Sequence, residues 1–430
     1  MEKFFALKEN NTNVKTEVLA GITTFMTMAY ILIVNPSILS AAGMDQGAVF
    51  TATALSAIIA TAVMGLYAKL PFALAPGMGL NAFFAFTIVK QMGYSFEFAL
   101  TAVLLEGIIF IFLTIFNVRE AIVDSIPNNI KKSISVGIGL FIAFIGLNNA
   151  GIIIHPENNS TIVALGNVTS GAALLAIIGI LITGFLLAKN VRGALLIGIV
   201  ATTIIGIPMG ITELPKAIIS APPSLSPVFF KFQWNNIFTV DMAIALFTLL
   251  FMNIFDTVGT LVGVATKAKM LDENGKVPNI KKALLADAVG TTAGACFGTS
   301  TVITFVESAS GVAEGGRTGL SAISSAAMFA IALFFSPIFA IIPSAATAPA
   351  LVLVGLFMME PIKEIELVDF TEAIPAFFTI IMMPLSYSIS EGIVFGIVSY
   401  VFLKALTGKA KEVTIPTYII GALFILKFFI

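Results

Sequence analysis

Hydrophobic runs of about twenty residues, divided by short polar breaks, recur along the whole chain. At about 1.5 Å per residue, one such run crosses a bilayer core as a helix. The pattern predicts fourteen crossings: 17–40, 46–68, 72–90, 97–117, 133–154, 171–188, 193–211, 240–264, 283–298, 299–315, 318–342, 344–359, 372–388 and 389–407. An apolar tail follows at 415–430. Two crossings differ from the rest. Residues 70–86 read LPFALAPGMGLNAFFAF, and there Pro76, Gly77 and Gly79 interrupt the run just before Asn81. Residues 299–315 alternate small polar and β-branched side chains up to Phe305, then pass Glu307 into Ser308, Ala309, Ser310, Gly311 and Ala313. A crossing that is half strand and half helix leaves backbone groups unpaired, at several kcal/mol each in bare lipid. Both stretches are therefore expected to line a protein interior.

The polar breaks orient the crossings. With the N-terminus in the cytoplasm, nineteen of the 23 lysines and arginines fall in inner segments, and only Lys90, Lys216 and Lys231 in outer ones. That asymmetry is the positive-inside bias of membrane proteins. The outer segment 212–239, with Pro215, Pro222, Pro223 and Pro227, divides the chain into repeats of seven crossings, 17–211 and 240–407. An odd number per repeat forces the two repeats into opposite orientations, the inverted plan of secondary transporters with a site at broken helices near mid-membrane. Asn81 and Glu307 stand 226 residues apart, and so do Tyr30 and Asp256. Residues 118–132 and 360–372 are amphipathic and are expected along the inner interface.

Composition narrows the class. The chain of 430 residues is 58% hydrophobic and 11% charged, less than half the charged share of about a quarter in soluble domains. The pattern predicts an all-α polytopic membrane protein forming one transporter domain over 1–430, with no appended soluble domain and no cleavable signal peptide. A net charge of −1 gives no sign of a nucleic-acid partner. The single cysteine, Cys296, excludes an intramolecular disulfide and a cysteine-based metal cluster. The single histidine, His155, falls in an outer loop, so a proton relay within the membrane would use carboxylates.

Four carboxylates are expected at membrane depth: Glu106, Asp256, Asp287 and Glu307. An ionisable group there is a functional candidate by default. Glu307 stands at a broken backbone. Asp256 shares a polar helix face with Asn253, Thr257 and Thr260, a face that would otherwise serve bonds between helices. Glu106 is expected to make a packing bond, Asp287 to sit at a helix terminus, and Glu314 and Arg317 to form a solvated pair at the inner mouth. Basic groups are missing for a permanent anion, and clustered ligands are missing for a metal. An uncharged planar ligand fits better. Carboxylates would accept its N–H groups, Asn81 would serve its acceptors, and Phe83, Phe255 or Phe305 would stack on its faces. Nucleobases have that chemistry.

Four stretches carry a resemblance: TTFMTMAYILIVNP (23–36), APGMGLNAFFAF (75–86), NIFDTVGTL (253–261) and TSTVITFVESASGVAEGGRTGL (299–320). Together they resemble the AzgA-like branch of the nucleobase/ascorbate transporter (nucleobase:cation symporter-2) superfamily, from about residue 3 to the end. The resemblance implies an adenine, guanine and hypoxanthine permease of the cell membrane that works by alternating access and proton symport without a cofactor. It implies a core domain (crossings 1–4 and 8–11) moving against a gate domain (5–7 and 12–14), and members are often homodimers. By position, Asp256 and Glu307 resemble the carboxylates that hold the purine, with either one able to carry the coupling proton. Asn81 resembles their polar neighbour, and Phe305 an aromatic or backbone neighbour of the base. Thr260 stands where related xanthine and uracil carriers often have aspartate or histidine, a departure that favours the adenine/guanine/hypoxanthine branch.

Three rivals remain to be weighed. A sulfate-type anion carrier of this architecture normally bears a large cytoplasmic C-terminal domain. A channel would show continuous polar stripes or charge rings. A membrane-embedded enzyme would need a nucleophile–base pair or metal ligands within the crossings.

Overall fold

The computed structural model describes residues 2–116, 127–156, 161–215, 217–267, 270 and 277–427. Several helices begin where a side chain satisfies a free N–H of the first turn. Asn13 caps α1 (Val14–Met28), which breaks at residues 29–30 and resumes as α2 (Ile31–Ser40). Asp45 caps α3 (Gln46–Val63), which runs on as a π-helical turn over Met64–Ala68. Strand β1 (Leu74–Pro76) then leads into α4 (Met78–Ala82) and a π-helical stretch, Phe83–Gln91. Ser95 caps α5 (Phe96–Ile115).

The chain continues through α6 (Asn128–Asn149), a hairpin of β2 (Ile153–Ile154) and β3 (Ala164–Leu165), α7 (Gly171–Ala188) and α8 (Ala194–Gly206). After the proline-rich segment come α9 (Val240–Lys267), α10 (Ile280–Phe297), β4 (Val302–Thr304) and α11 (Ser308–Ala313). The remainder is α12 (Gly319–Ala332), α13 (Ser336–Ala340), α14 (Ser344–Met358), α15 (Phe370–Leu385), α16 (Ile389–Leu406) and α17 (Ile415–Lys427). Among the described residues, eight helical runs have the length and apolar composition to cross a membrane, with shorter apolar helices beside them. Phe112, Leu181, Phe185, Ile204, Phe377 and Phe402 are exposed on these helices, as an apolar solvent allows.

Two groups of helices pack chiefly within themselves. In one, α10 lies against α5 and α3, α1 against α11 and α12, and α12 against α3. In the other, α14 lies against α6, α7 and α8, and α15 against α6 and α16. Small residues set the approach, as expected where lipid removes the hydrophobic drive between helices. A Cβ on Gly139 of α6 would overlap the carbonyl of Gly355 on α14, and the reverse holds too.

The two interrupted segments meet. β1 and β4 pair antiparallel, with Leu74 opposite Thr304, Ala75 opposite Ile303 and Pro76 opposite Val302. Gly77 N–H donates to the Thr301 carbonyl at 3.0 Å and Phe305 N–H to that of Ala73 at 3.0 Å, which extends the ribbon at both ends. Threonines on neighbouring helices pair its outer edges. Thr61 of α3 accepts from Leu74 N–H at 2.9 Å and donates to the Leu74 carbonyl at 3.1 Å. Thr291 of α10 does the same for Val302, at 3.2 and 3.0 Å. These bonds let extended backbone persist where no water can serve it. Gly298, at φ +93°, turns α10 into the ribbon through a conformation that a side chain would strain.

One expectation changes. Asp287 is not a terminal residue: Lys281 and Lys282 already belong to α10, so Asp287 lies two turns inside and fully buried. Segment 360–372 forms a 3₁₀ turn over Glu360–Glu364, then extended residues and the first turn of α15. Of segment 118–132, residues 118–126 lie outside the described residues. The tail helix α17 packs on α16, and Phe424 meets Phe247 of α9 edge-on at 5.7 Å. Just before it, Lys409 donates to Asp369 at 2.5 Å, and this ammonium holds the Asp369 carboxyl below the usual carboxylate range.

Candidate functional site

The paired ribbon aims α4 and α11 away from its two ends and brings Asn81 and Glu307 to the same interior. Asn81 sits on α4, fully buried. Its Oδ1 accepts from Ser300 Oγ, while no described group pairs with Nδ2. Glu307 immediately precedes α11. Its Oε1 accepts from the Tyr30 hydroxyl at 2.5 Å, and Thr27 Oγ1 lies 3.4 Å from its carbonyl oxygen. Tyr30 comes from the break between α1 and α2, so its buried phenol reaches Glu307 from an interrupted helix.

Helix α9, which carries Asp256, packs against α4, β4 and α11. Its expected single polar face divides in two. Asn253 and Thr257 are fully buried and turned toward α5 and α10. Asp256 and Thr260, one turn apart on the adjoining stripe, are partly open. Phe305 and Phe83 are both buried in the apolar core, and the side chain of Phe255 lies outside the described residues.

The buried stripe belongs to a polar network behind the ribbon. Glu106 Oε1 accepts from Asn253 Nδ2 at 2.9 Å, and Oε2 from Thr301 Oγ1 at 2.5 Å. Thr257 Oγ1 lies 2.9 Å from Asn253 Oδ1 and 3.1 Å from Asp287 Oδ2. Glu106 therefore makes the packing bond expected of it, tying α5, α9 and the residue just before β4 together. Buried networks of this kind rigidify a core when their members are satisfied.

A fifth carboxylate escaped the sequence reading. Glu17, in the first turn of α1, is fully buried. Its Oε1 accepts from Arg317 N–H at 2.9 Å. Its Oε2 accepts from Thr318 N–H and Ser321 N–H, each at 3.2 Å, and from Ser321 Oγ at 2.6 Å. The negative charge sits at the N-terminus of α12, where free N–H groups favour it. The solvated Glu314–Arg317 pair does not form. Glu314 pairs with Arg192, from the short turn between α7 and α8, which brings the two helix groups together at this end. Arg317 Nη1 instead donates to the carbonyls of Val312 and Gly316, at 2.6 and 2.8 Å. Among the described residues, no three His, Cys, Asp or Glu side chains gather as a metal site would require. His155 lies exposed between β2 and β3, its Nδ1 2.9 Å from the Ile162 carbonyl oxygen.

A mostly helical, multi-pass membrane protein in which two interrupted segments pair, with Glu307 at one of the interruptions, is built as a transporter. The chain belongs to the Permease family (Xan_ur_permease), whose model matches residues 15–395. Its fold is also that of the transmembrane domain of BicA, a cyanobacterial bicarbonate transporter. That likeness has a TM-score of 0.67 at 18% identity, over 89% of this chain and 97% of the other.

Among the relatives that match nearly end to end are three of differing names. A putative permease of Methanocaldococcus jannaschii, MJ0326, is 49% identical over 100% of this chain and 98% of its own. The guanine/hypoxanthine permease PbuG of Bacillus subtilis is 45% identical over 100% and 99%. The adenine permease AdeP of Escherichia coli is 43% identical over 99% and 95%.

Proposed function

We propose that this chain imports purine nucleobases (adenine, guanine or hypoxanthine) across the cell membrane, coupled to proton entry, by alternating access. The observation that carries the substrate class is end-to-end identity of 43–45% to permeases named for adenine and for guanine/hypoxanthine. The chemistry of the interior agrees with it. Asp256 offers a carboxylate without a cationic partner among the described residues, Asn81 Nδ2 offers a buried donor with no described partner, and Glu307 offers a second carboxylate within the same packed set of elements.

In this reading Asp256 and Glu307 accept purine N–H groups, and Asn81 donates to a ring nitrogen or carbonyl. Phe305 and Phe83 form the apolar walls, and Thr260 lines the side next to Asp256. Glu307 or Asp256 takes the coupling proton, as the two carboxylates of this interior.

The chain crosses the membrane fourteen times as inverted repeats over 17–211 and 240–407, with its N-terminus in the cytoplasm. The group containing α1–α5 and α9–α12 is the core, and that of α6–α8 and α14–α16 is the gate. Their mutual contacts are sparse enough for relative motion. One is the Arg192–Glu314 pair, and another is the aromatic cluster of Phe86 with Phe141 and Tyr387, at 6.4 and 5.7 Å.

A thermal-unfolding panel on purified protein tests the substrate class. A ligand at about a hundred times its Kd stabilises the folded state by about 2.7 kcal/mol. Adenine, guanine or hypoxanthine should therefore raise Tm measurably, while uracil, bicarbonate and sulfate leave it in place. Stabilisation by bicarbonate or sulfate alone would favour the anion-carrier reading that the BicA likeness makes worth testing.

A further inference from the structure

We propose that Tyr30 is a hydrogen-bond latch on Glu307 in the empty carrier, and that a purine N–H displaces it when substrate binds. The inference rests on the purine reading above and assigns a role that reading does not contain. A phenol has one hydrogen to give. In Tyr30 it is directed at Glu307 Oε1 over 2.5 Å, from a ring that is 1% exposed. The contact is built from two sides. The α1–α2 interruption delivers Tyr30, and Thr27, one turn earlier on α1, meets the Glu307 carbonyl at 3.4 Å.

The other half of the constellation is open. Tyr30 and Asp256 occupy positions 226 residues apart, as do Asn81 and Glu307. The partner positions to Tyr30–Glu307 are thus Asp256 and Asn81, on α9 and α4, two helices that pack together. No hydrogen bond joins these two. Asp256 is partly open, and Asn81 Nδ2 is buried without a described partner. In this state one repeat-related pair is closed on itself and the other is free to receive a ligand.

The chemistry of a purine fits that asymmetry. Asp256 and Asn81 take the base first, one accepting and one donating. The base then presents a second N–H to Glu307, and that bond replaces the one from Tyr30. One O–H···O contact is lost and one N–H···O contact is gained, so the bond count is conserved. Tyr30 thereby lowers affinity and speeds release, and it keeps the Glu307 acceptor satisfied when no substrate is present. A buried acceptor left without a donor would otherwise be costly. Tyr30 is a positioning residue that acts through Glu307.

Tyr30→Phe removes the hydroxyl and keeps the ring. The latch predicts that purine Kd and KM fall about tenfold, the effect of one hydrogen bond to a charged group, with a lower maximal rate because release slows. Methylating the purine at the N–H that meets Glu307 should abolish the gain, and so should a Glu307→Gln background. A variant with unchanged or weaker purine binding would overturn the latch, as would a gain that persists for methylated purines. If Tyr30→Phe fails to fold, infrared difference spectroscopy on the wild-type carrier takes its place. Purine binding should then shift a tyrosine C–O band, and an unchanged band would overturn the proposal. Absence of purine binding by the wild-type carrier is a separate outcome: it would overturn the substrate assignment itself, and the latch with it.

Discussion

Glu307→Gln and Asp256→Asn should each cut purine uptake by about a hundredfold while the protein still folds. Each replacement keeps the shape of the side chain and removes its charge. A hydrogen bond to a charged group contributes about 1.5–3 kcal/mol, or roughly 10- to 150-fold in affinity. An amide also presents an N–H where the base itself would donate, and it cannot take up a proton. Glu307 and Asp256 border a polar interior and do not hold a packing network together, so the loss should appear in transport and binding before it appears in stability. The two variants should differ in one respect. Glu307→Gln disturbs the Tyr30 contact, whereas Asp256→Asn changes a side chain with no described partner. Uptake and equilibrium binding of labelled hypoxanthine, measured on detergent-stable variants, check both. If either variant transports at the wild-type rate, that residue does not belong to the site.

Glu17→Ala should do the reverse and unfold the end of the helix group where α1 meets α12. The carboxylate accepts three backbone N–H groups and one hydroxyl around the start of α12. Removing it strands buried donors at about 1–3 kcal/mol each, and the losses are not additive. A total of about 3–5 kcal/mol is expected, the scale on which a broken buried charge interaction falls. The same segment is packed along α1, with Gly311 against Ala20 and Thr24 and Gly316 against Ala20, so the disturbance would spread toward Glu307. Thermal unfolding should show a large drop in Tm and a poor yield of monodisperse protein. Whatever protein does fold should retain a near-normal KM. Normal stability with a raised KM would instead place Glu17 in the substrate path.

The contrast between these carboxylates shows where the sequence was informative. Glu307 was legible because proline, glycine and small polar residues broke an apolar run around it, and lipid does not tolerate such a break without a purpose. Asn81 was legible for the same reason. Glu17 was not, because it stands next to the polar N-terminus and resembles an ordinary boundary residue. Its burial comes from a helix three hundred positions away in the chain.

Distance along the chain hid other partners as well. Glu314 was matched to nearby Arg317, yet it pairs with Arg192 across the two helix groups. Thr61 and Thr291, which pair the edges of the ribbon, look like any threonine within an apolar helix. Helical spacing grouped Asn253, Asp256, Thr257 and Thr260 correctly on one side of α9. It had no means of showing that neighbouring helices would claim two of them and leave two open. Tyr30 entered only as one end of a repeated interval, and its hydrogen bond to Glu307 gave that interval a chemical meaning.

The central claim is that a purine crosses the membrane on this site with a proton. Purified carrier in proteoliposomes, given labelled hypoxanthine, adenine or guanine outside, tests it directly. With an inward proton gradient, at least one of the three should accumulate above its outside concentration, unlabelled purine should compete, and a protonophore should abolish the accumulation. Purine uptake that ignores the gradient would contradict coupling, and no uptake of any of the three would contradict the function assigned to the chain.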